Sequence, residues 1–215
     1  MLVDIHAKSS LSDDVDLSVA QVLEASQANG FDAVAFCETR STAYAQRVLD
    51  KSEEYEVDVF IGVEIPTDTG LLLGFAPEVD EFYLAETWRR YTDLMRPTPE
   101  AVIELFEEIG GTVVAARPYD RGTELMMGDH IFALDGISAV EVVNSRVDRI
   151  HNDFAVEAAT YLGLPTVGGS DPDGDDIETD GEGGTYFRGE IDGQSSFVEA
   201  LKYEEFWAVE LDDAA

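Results

Sequence analysis

The feature that most constrains the fold is a regular alternation of short apolar runs with segments of helical periodicity. The runs are apolar at nearly every position, which is typical of strands buried on both faces of a parallel sheet. They are predicted to be strands, and they cover residues 2–6, 33–37, 57–64, 71–75, 112–116, 137–143 and 165–168. Strands that alternate with helices indicate the α/β class. About seven such strands fit either a small barrel or an open doubly wound sheet, and the pattern alone does not choose between them.

The helical segments between these runs carry recognisable start and stop signals. Ser18 is a good N-cap for a helix that ends at Gly30, and Thr98-Pro99 opens another that ends at Gly110. Helices are predicted over residues 18–30, 41–54, 81–95, 101–109, 148–162 and 195–203. No internal repeat or interdomain linker is evident, so residues 1–215 are predicted to form a single domain. The acidic, glycine-rich stretch 171–184 is predicted to be a solvated loop.

The charge of the chain restricts its environment and its partners. There are 46 acidic and 13 basic residues, which gives a formal charge of −33, and the acids are spread along the whole sequence. Such a charge repels itself at ordinary ionic strength, but salt at about 1 M shortens the Debye length to roughly 3 Å. We therefore expect a halophilic cytoplasm. No basic stripe is present to neutralise phosphates, so neither nucleic acid nor an anionic membrane is an expected partner.

Other sequence features agree with a soluble cytoplasmic protein. Cys37 is the single cysteine, so an internal disulfide is excluded. The first residues, MLVDIHAKSS, do not resemble a signal peptide. No apolar run approaches the roughly 20 residues that span a bilayer.

Polar side chains stand at the ends of most of the predicted strands. They are His6, Lys8, Glu38, Thr39, Glu64, Arg117, Asn144 and Asp171. Any one of them would ordinarily be a cap or turn residue. Because functional sites of parallel α/β folds form at the carboxyl ends of strands, the whole set predicts a common site.

The motifs that carry these residues resemble those of the PHP (polymerase and histidinol phosphatase) family. VDIHAKSSLSDD resembles its opening motif, which reads hydrophobic-Asp-hydrophobic-His-x-His and then Ser-Asp-Gly. CET, GVEI and ARP stand at its Thr-Asp-His, Gly-x-Glu and Ala-His-Pro motifs. EVVN stands at the family's Glu-x-x-Asn segment, and GGSDPD stands at its terminal Gly-Ser-Asp-Ala-His motif. The resemblance covers essentially the whole chain and implies the distorted seven-stranded (β/α) barrel of that family.

The resemblance also implies a phosphoesterase site with two or three divalent metals, held mostly by histidines. Carried over by position, His6, Glu64 and Asp171 are retained, and Glu38 stands where an Asp is usual. Histidines are replaced at the following positions: Lys8, Thr39, Leu71, Arg117 and Asp173. Of these five, only Asp173 could still bind a metal. Asp13 and Asn144 fall on positions that would support the site.

Lys8 and Arg117 are the most informative replacements, because a charged lysine or arginine cannot ligate a metal and repels a divalent ion nearby. We predict that these two cations neutralise Glu38, Glu64 and Asp171 in place of the metals. The multinuclear site is then degraded and catalysis impaired.

Three functions remain open from the sequence. The pocket could be metal-free and bind a small phosphorylated or otherwise anionic ligand through Lys8 and Arg117. It could be a structural relic closed by salt bridges. It could also be a reduced hydrolase in which His6, Glu64 and Asp171 hold one divalent ion, Mn, Zn or Mg, beside an open position. No cofactor is favoured, and the sequence leaves the oligomeric state open.

Overall fold

The structure is a computed structural model that describes residues 1–12, 15–79, 96–172 and 183–211. The strands in these residues are β1 (Leu2–Ala7), β2 (Ala33–Phe36), β3 (Asp58–Ile61), β4 (Val63–Pro66), β5 (Leu71–Phe75), β6 (Thr112–Ala116), β7 (Ala139–Asn144), β8 (Thr166–Gly169), β9 (Gly183–Phe187) and β10 (Phe206–Glu210). The helices are α1 (Val19–Ala28), α2 (Ala45–Ser52), α3 (Pro99–Glu108), α4 (Arg149–Leu162), α5 (Gln194–Tyr203) and a 3-10 helix at Gly128–Ala133.

Local sequence signals explain where several helices begin and end. The Ser18 side chain accepts from the backbone N–H of Gln21, whose own side chain returns to the Ser18 backbone, so α1 starts with a capping box. Thr98 caps α3, and Pro99 occupies its first turn. α4 ends at Gly163, whose φ of 68° is a left-handed conformation that glycine adopts at little cost.

The predicted closed barrel of seven strands is wrong in architecture, although the α/β class is right. The described strands form two mixed five-stranded sheets, in the orders β10-β9-β1-β2-β3 and β4-β5-β6-β7-β8. Pairing is parallel for β1/β2, β2/β3, β6/β7 and β7/β8. It is antiparallel for β4/β5, β5/β6, β1/β9 and β9/β10.

A short connection accounts for the antiparallel pairing of β4 with β5. The run predicted over 57–64 divides at Gly62 into β3 and β4, which belong to different sheets. Residues 67–70 then form a tight turn in which Thr67 N–H donates to Gly70 O (2.9 Å), so β5 folds back antiparallel on β4. A parallel neighbour would have required a crossover of a dozen or more residues.

Two further predictions about segments need correction or lie outside the described residues. The stretch 171–184 is not solvated at its ends, because Asp171 is fully buried and Gly183 begins β9. The predicted helix over 81–95 and the centre of the acidic stretch, residues 173–182, are outside the described residues.

The two sheets share an apolar core that includes α5. Phe197 of α5 stacks on Phe60 of β3 at 4.2 Å between ring centroids, and it meets Phe75 of β5 edge-on at 5.3 Å. One helix therefore packs against both sheets at once. In the described part of the chain, no helix has the length and apolar character needed to cross a membrane.

A second junction between the sheets positions the polar residues. Asp171 N–H, two residues after β8, donates to His6 O of β1 at 2.7 Å, and Gly168 N–H donates to the Thr185 hydroxyl of β9 at 3.0 Å. A Cβ atom on Gly169 would lie 2.5 Å from the His6 Cβ. The close approach of β8 to β1 therefore depends on glycine at this position.

Candidate functional site

The carboxyl ends of β1, β7 and β8, together with β4 and the residue after β6, bring six predicted site residues into one cluster. The cluster contains His6, Lys8, Glu64, Arg117, Asn144 and Asp171. All of them except Arg117 are buried as whole residues, and the Arg117 side chain itself is almost completely buried. Polar residues that lie at separate strand ends in the sequence are thus brought together into a single charged cluster.

His6 stands between three carboxylates. Its Nδ1 lies 2.9 Å from Glu141 Oε1, and its Nε2 lies 3.3 Å from Glu64 Oε2 and 3.7 Å from Asp171 Oδ1. The ring is therefore held on both sides, by Glu141 at one nitrogen and by Glu64 and Asp171 at the other.

The two replacement cations lie inside this group of acids. Lys8 Nζ is 3.5 Å from Glu64 Oε1 and 3.7 Å from Asp171 Oδ1. The Arg117 guanidinium places Nη1 2.8 Å from Asp171 Oδ2 and Nη2 3.6 Å from Glu64 Oε2. Glu64 and Asp171 are consequently each contacted by Lys8, Arg117 and His6.

Two members of the cluster have unusual backbone conformations. Arg117 has φ of 32° and Asp171 has φ of 43°, in a region that non-glycine residues rarely adopt. In each, the backbone N–H makes a hydrogen bond within the cluster: Arg117 N–H donates to Glu141 Oε2 (2.9 Å), and Asp171 N–H donates to His6 O (2.7 Å). Unfavourable backbone conformations of this kind are often found at functional sites, where they hold side chains in position.

The charges shift one another's titration strongly. Burial alone would lower the pKa of His6, but Asp171, Glu141 and Glu64 outweigh it and raise the pKa to about 10. Burial opposes ionisation of Glu64 and Asp171, yet His6, Lys8 and Arg117 hold both pKa values below the usual range. The raised pKa of His6 and the lowered pKa values of Glu64 and Asp171 favour the charged forms of all three groups at neutral pH.

Glu38 lies in a separate pocket of serines. It accepts from Ser9 N–H (3.0 Å) and the Ser9 hydroxyl (2.5 Å) through Oε1, and from the Ser12 hydroxyl through Oε2. Burial raises its pKa in spite of these bonds and of Lys8 nearby. Its oxygens are thus engaged by hydroxyl groups, away from the group formed by His6, Glu64 and Asp171.

The remaining predicted positions have varied placements. Thr39 donates its hydroxyl to Glu64 Oε1 at 3.0 Å, and Asn144 donates to both Glu141 Oε1 (3.1 Å) and Asp171 Oδ2 (3.3 Å). Leu71 is buried in the apolar core on β5. Asp13 and Asp173 are outside the described residues. Their predicted roles stay predictions.

The sequence reasoning missed several residues that contact the cluster, Glu141 and Arg146 among them. Glu141 is fully buried and binds His6, the Arg117 backbone and Asn144. Arg146 places Nη1 3.5 Å from Asp171 Oδ1 at the rim. Glu141 had a usable signal, because a lone acid within the apolar run AVEVVN must find buried partners. Arg146 had none beyond its place two residues after the strand.

The cluster includes a set of atoms that fits a single divalent ion. Nitrogen or oxygen atoms of His6, Glu64 and Asp171 all lie within 4.8 Å of one another. The contact of His6 Nδ1 with Glu141 is the kind of outer bond that orients a ligating imidazole with Nε2 toward a metal. Against this fit, Lys8 and Arg117 contact both carboxylates of the set.

Comparison with known proteins gives one clear relative. The chain is 30% identical over 137 residues to uncharacterized protein MJ1587 of Methanocaldococcus jannaschii, which covers 63% of this chain and 71% of that protein. The chain belongs to the MJ1587 family. No protein-family model matches this MJ1587 family member.

Solved structures resemble the MJ1587 family member in fold. A protein assigned as a metal-dependent phosphoesterase from Bifidobacterium adolescentis has a TM-score of 0.60 at 18% identity, over 79% of this chain and 86% of that one. An amidohydrolase from Chromobacterium violaceum has a TM-score of 0.63 at 14% identity, and the match covers 80% of this chain and 87% of that one. The lesion-specific endonuclease EndoQ from Pyrococcus furiosus has a TM-score of 0.70 at 15% identity, and the match covers 97% of this chain and 58% of that one. These are PHP-type folds, and at such identities the likeness concerns the fold alone.

Proposed function

We propose that the cluster is a metal-independent oxyanion site, in which side-chain cations occupy the place of divalent metals and a phosphate or phosphomonoester binds without being hydrolysed. The observation that carries this proposal is the placement of Lys8 Nζ and the Arg117 guanidinium against both Glu64 and Asp171, at 2.8 to 3.7 Å. This is the function that the geometry supports best.

The charge balance argues against a resident multinuclear metal centre. His6, Lys8 and Arg117 already match the three buried carboxylates Glu64, Asp171 and Glu141. A divalent ion between Glu64 and Asp171 would sit a few ångströms from two fixed positive charges, in surroundings that screen them poorly. It would have to displace both cations from buried ion pairs, which is costly because a buried charge without a partner is strongly unfavourable.

Two features support binding of an anion in particular. Arg117 Nε is buried and has no hydrogen-bond partner among the described residues, so the guanidinium retains a donor. In the described part of the chain, six basic residues also follow the carboxyl ends of strands: Lys8, Arg40, Arg117, Arg121, Arg146 and Arg149. These basic side chains offset part of the negative charge that the acids place at the strand ends. The C. violaceum neighbour was observed with bound SO4 and no metal.

A DNA substrate is disfavoured despite the likeness to EndoQ. The chain spans 58% of that endonuclease, and the charge of −33 opposes a polyanion over the rest of the surface. A small oxyanion would contact only the basic side chains at the strand ends and not the acidic remainder of the surface.

A second candidate function rests on the convergence of His6, Glu64 and Asp171. If Lys8 and Arg117 swing away, these three side chains could hold one divalent ion, as in a reduced phosphoesterase site. Such an ion would polarise a phosphoryl oxygen and lower the pKa of a bound water. The B. adolescentis neighbour makes this the natural rival.

The two candidates separate in a three-part experiment on protein purified in about 2 M KCl. We expect metal content well below one ion per chain, no release of p-nitrophenol from p-nitrophenyl phosphate with added Mn²⁺, and a higher melting temperature with inorganic phosphate. Arg117→Lys keeps the charge but removes Nε and the fork, so it should fold and lose most of the phosphate shift.

Arg47→Ala is the matched control, since Arg47 is an exposed arginine on α2, away from the strand ends, and should keep the phosphate shift. Arg117→Ala is a poorer probe, because an unpaired Asp171 is expected to cost about 3–5 kcal/mol of stability. Stoichiometric Mn or Zn together with EDTA-sensitive phosphate release would overturn the proposal and establish the rival. A melting temperature that phosphate leaves unchanged would reject anion binding.

A further inference from the structure

A buried carboxylate on β1, two residues before His6, has not yet been given a role. Asp4 is 2% exposed and accepts three hydrogen bonds from described residues. Its Oδ1 accepts from His6 N–H and from Ser170 N–H, each at 3.0 Å, and its Oδ2 accepts from the Ser170 hydroxyl at 2.5 Å. A carboxylate is costly to bury unless hydrogen bonds compensate it, and here these three bonds come from only two residues.

Both partners of Asp4 adjoin the charged cluster. His6 is a member of it, and Ser170 directly follows β8 and precedes Asp171. Asp171 N–H in turn donates to His6 O at 2.7 Å. Asp4 therefore completes a ring of hydrogen bonds that joins β1 to the two residues after β8.

The register of β1 explains why the His6 N–H bonds to a side chain. The pairing of β1 with β2 passes from Asp4 opposite Val34 to Ala7 opposite Phe36, so three steps along β1 match two along β2. An extra residue of this kind interrupts the backbone ladder and re-aims the side chains of the irregular strand. His6 lies inside this irregular stretch, and its N–H donates to Asp4. Asp4 thus holds the backbone of His6 at a point where the sheet ladder is interrupted.

We propose that Asp4 is a positioning residue of the oxyanion site, an inference that rests on the function proposed above. It acts through its neighbours rather than by binding the anion. By holding the two backbone segments together, it places His6 Nε2 3.7 Å from Asp171 Oδ1. Lys8 and Arg117 both pair with Asp171, so a displacement of that carboxylate moves both cations. Displacements of about 1 Å are enough to impair a preorganised site.

Two substitutions at Asp4 separate its hydrogen bonds from its charge. In Asp4→Asn, the amide oxygen can accept from both backbone N–H groups and the amide N–H can donate to the Ser170 hydroxyl, whereas Asp4→Ala removes all three bonds. We expect Asp4→Ala to weaken phosphate binding about tenfold or more and Asp4→Asn to stay within about threefold of the wild type. Isothermal titration calorimetry with inorganic phosphate in about 2 M KCl measures the dissociation constants.

Ser170→Ala and Ser138→Ala form a matched pair that removes one hydroxyl each. The Ser170 hydroxyl donates to Asp4, whereas the Ser138 hydroxyl donates to Val113 O at 3.0 Å, at the amino ends of β6 and β7 and away from the cluster. We expect Ser170→Ala to weaken phosphate binding about threefold or more and Ser138→Ala to leave it unchanged. This pair decides the matter if Asp4→Ala does not fold, which far-UV circular dichroism shows.

The ring nitrogens of His6 give a readout that does not require phosphate. In ¹⁵N-labelled protein, we expect Asp4→Ala and Ser170→Ala to shift the His6 imidazole signals, which comparison with His6→Gln identifies, and Asp4→Asn to leave them in place. If the wild type does not bind phosphate, the oxyanion function is rejected, and these signals alone decide whether Asp4 positions His6.

Three results would overturn the positioning role. One is a His6 signal that neither Asp4→Ala nor Ser170→Ala shifts. Another is an equal phosphate dissociation constant for Ser170→Ala and Ser138→Ala. The third is a loss of phosphate binding in Asp4→Asn as large as in Asp4→Ala, because the charge of Asp4 rather than its hydrogen bonds would then be responsible.

Discussion

At the scale of single residues, the site is defined by cations where the PHP resemblance implies histidines. Arg117 and Lys8 each contact Glu64 and Asp171, so each acid is neutralised by side chains that belong to the fold. A metal-dependent site loses this neutralisation when the ion leaves. Here the neutralising groups are the side chains of His6, Lys8 and Arg117, so the stability of the cluster depends on their protonation.

His6 gives that link a measurable sign. Its pKa is raised from 6.5 to about 10 in the folded protein, so its contribution to stability is complete below pH 6.5 and is lost as the pH rises toward 10. Between pH 7 and 9, we expect EDTA-treated protein to lose about 1.4 kcal/mol of unfolding free energy per pH unit more than His6→Gln does. Urea denaturation at fixed high salt measures the difference.

The stability that the two carboxylates contribute depends on pH in the opposite direction, and it gives a second test of the same cluster. Glu64 and Asp171 have lowered pKa values, so their contribution is present above their ordinary range near pH 4 and is lost on further acidification. The His6 prediction also has a contrary outcome. If the unfolding free energies of the wild type and of His6→Gln changed equally with pH between pH 7 and 9, His6 would be neutral in the folded state.

At the scale of elements, the junction between β1 and β8 sets the geometry of the cluster, because His6 ends one strand and Asp171 follows the other. Gly169 permits this contact, since an added Cβ would meet the His6 Cβ at 2.5 Å and the His6 backbone nitrogen at 2.8 Å. We expect Gly169→Ala to lower the unfolding free energy by about 1–3 kcal/mol and to weaken any phosphate-induced thermal shift. Chemical denaturation and the phosphate titration give both readouts.

Gly163→Ala provides the contrast for this experiment. Gly163 has no neighbour within 4 Å of an added Cβ, and its cost comes only from the left-handed φ of 68°. It should destabilise by about 1 kcal/mol and leave the phosphate response intact. Equal effects of the two substitutions on the phosphate response would contradict the role given to the junction.

Most individual elements could be predicted from sequence, because their signals are local. The capped starts of α1 and α3 and the apolar runs of β1, β5 and β6 follow from residues within each segment. β9 was missed because GGTYF begins with two glycines after an acidic stretch, and its strand state depends on pairing with β1 and β10. The division at Gly62 was missed for a similar reason, since only tertiary contacts with Phe75 and Cys37 reveal it.

At the scale of the whole molecule, the sequence predicted the α/β class but not the arrangement of its sheets. Apolar runs report burial, and burial is the same for a strand with parallel or antiparallel neighbours. The site was more predictable than the architecture, because residues at strand ends converge in either arrangement. Glu141 shows the limit: its burial followed from the sequence, but two of its partners, His6 and Arg117, are distant in sequence and are brought to it only by the fold.

The total charge leads to a prediction that is independent of the site. A charge of −33 on 215 residues repels itself in the folded state, and salt screens exposed charges much more than the buried pairs around His6. We expect the melting temperature to rise by roughly 10 °C or more between about 0.2 and 2 M KCl, which corresponds to a few kcal/mol for a chain of this size. Sucrose raises stability by exclusion without screening charge, so at matched osmolality it should reproduce only a small part of the increase. A melting temperature that KCl and sucrose raise equally would mean that charge repulsion does not limit the folded state, and the expectation of a high-salt environment would then have no physical basis.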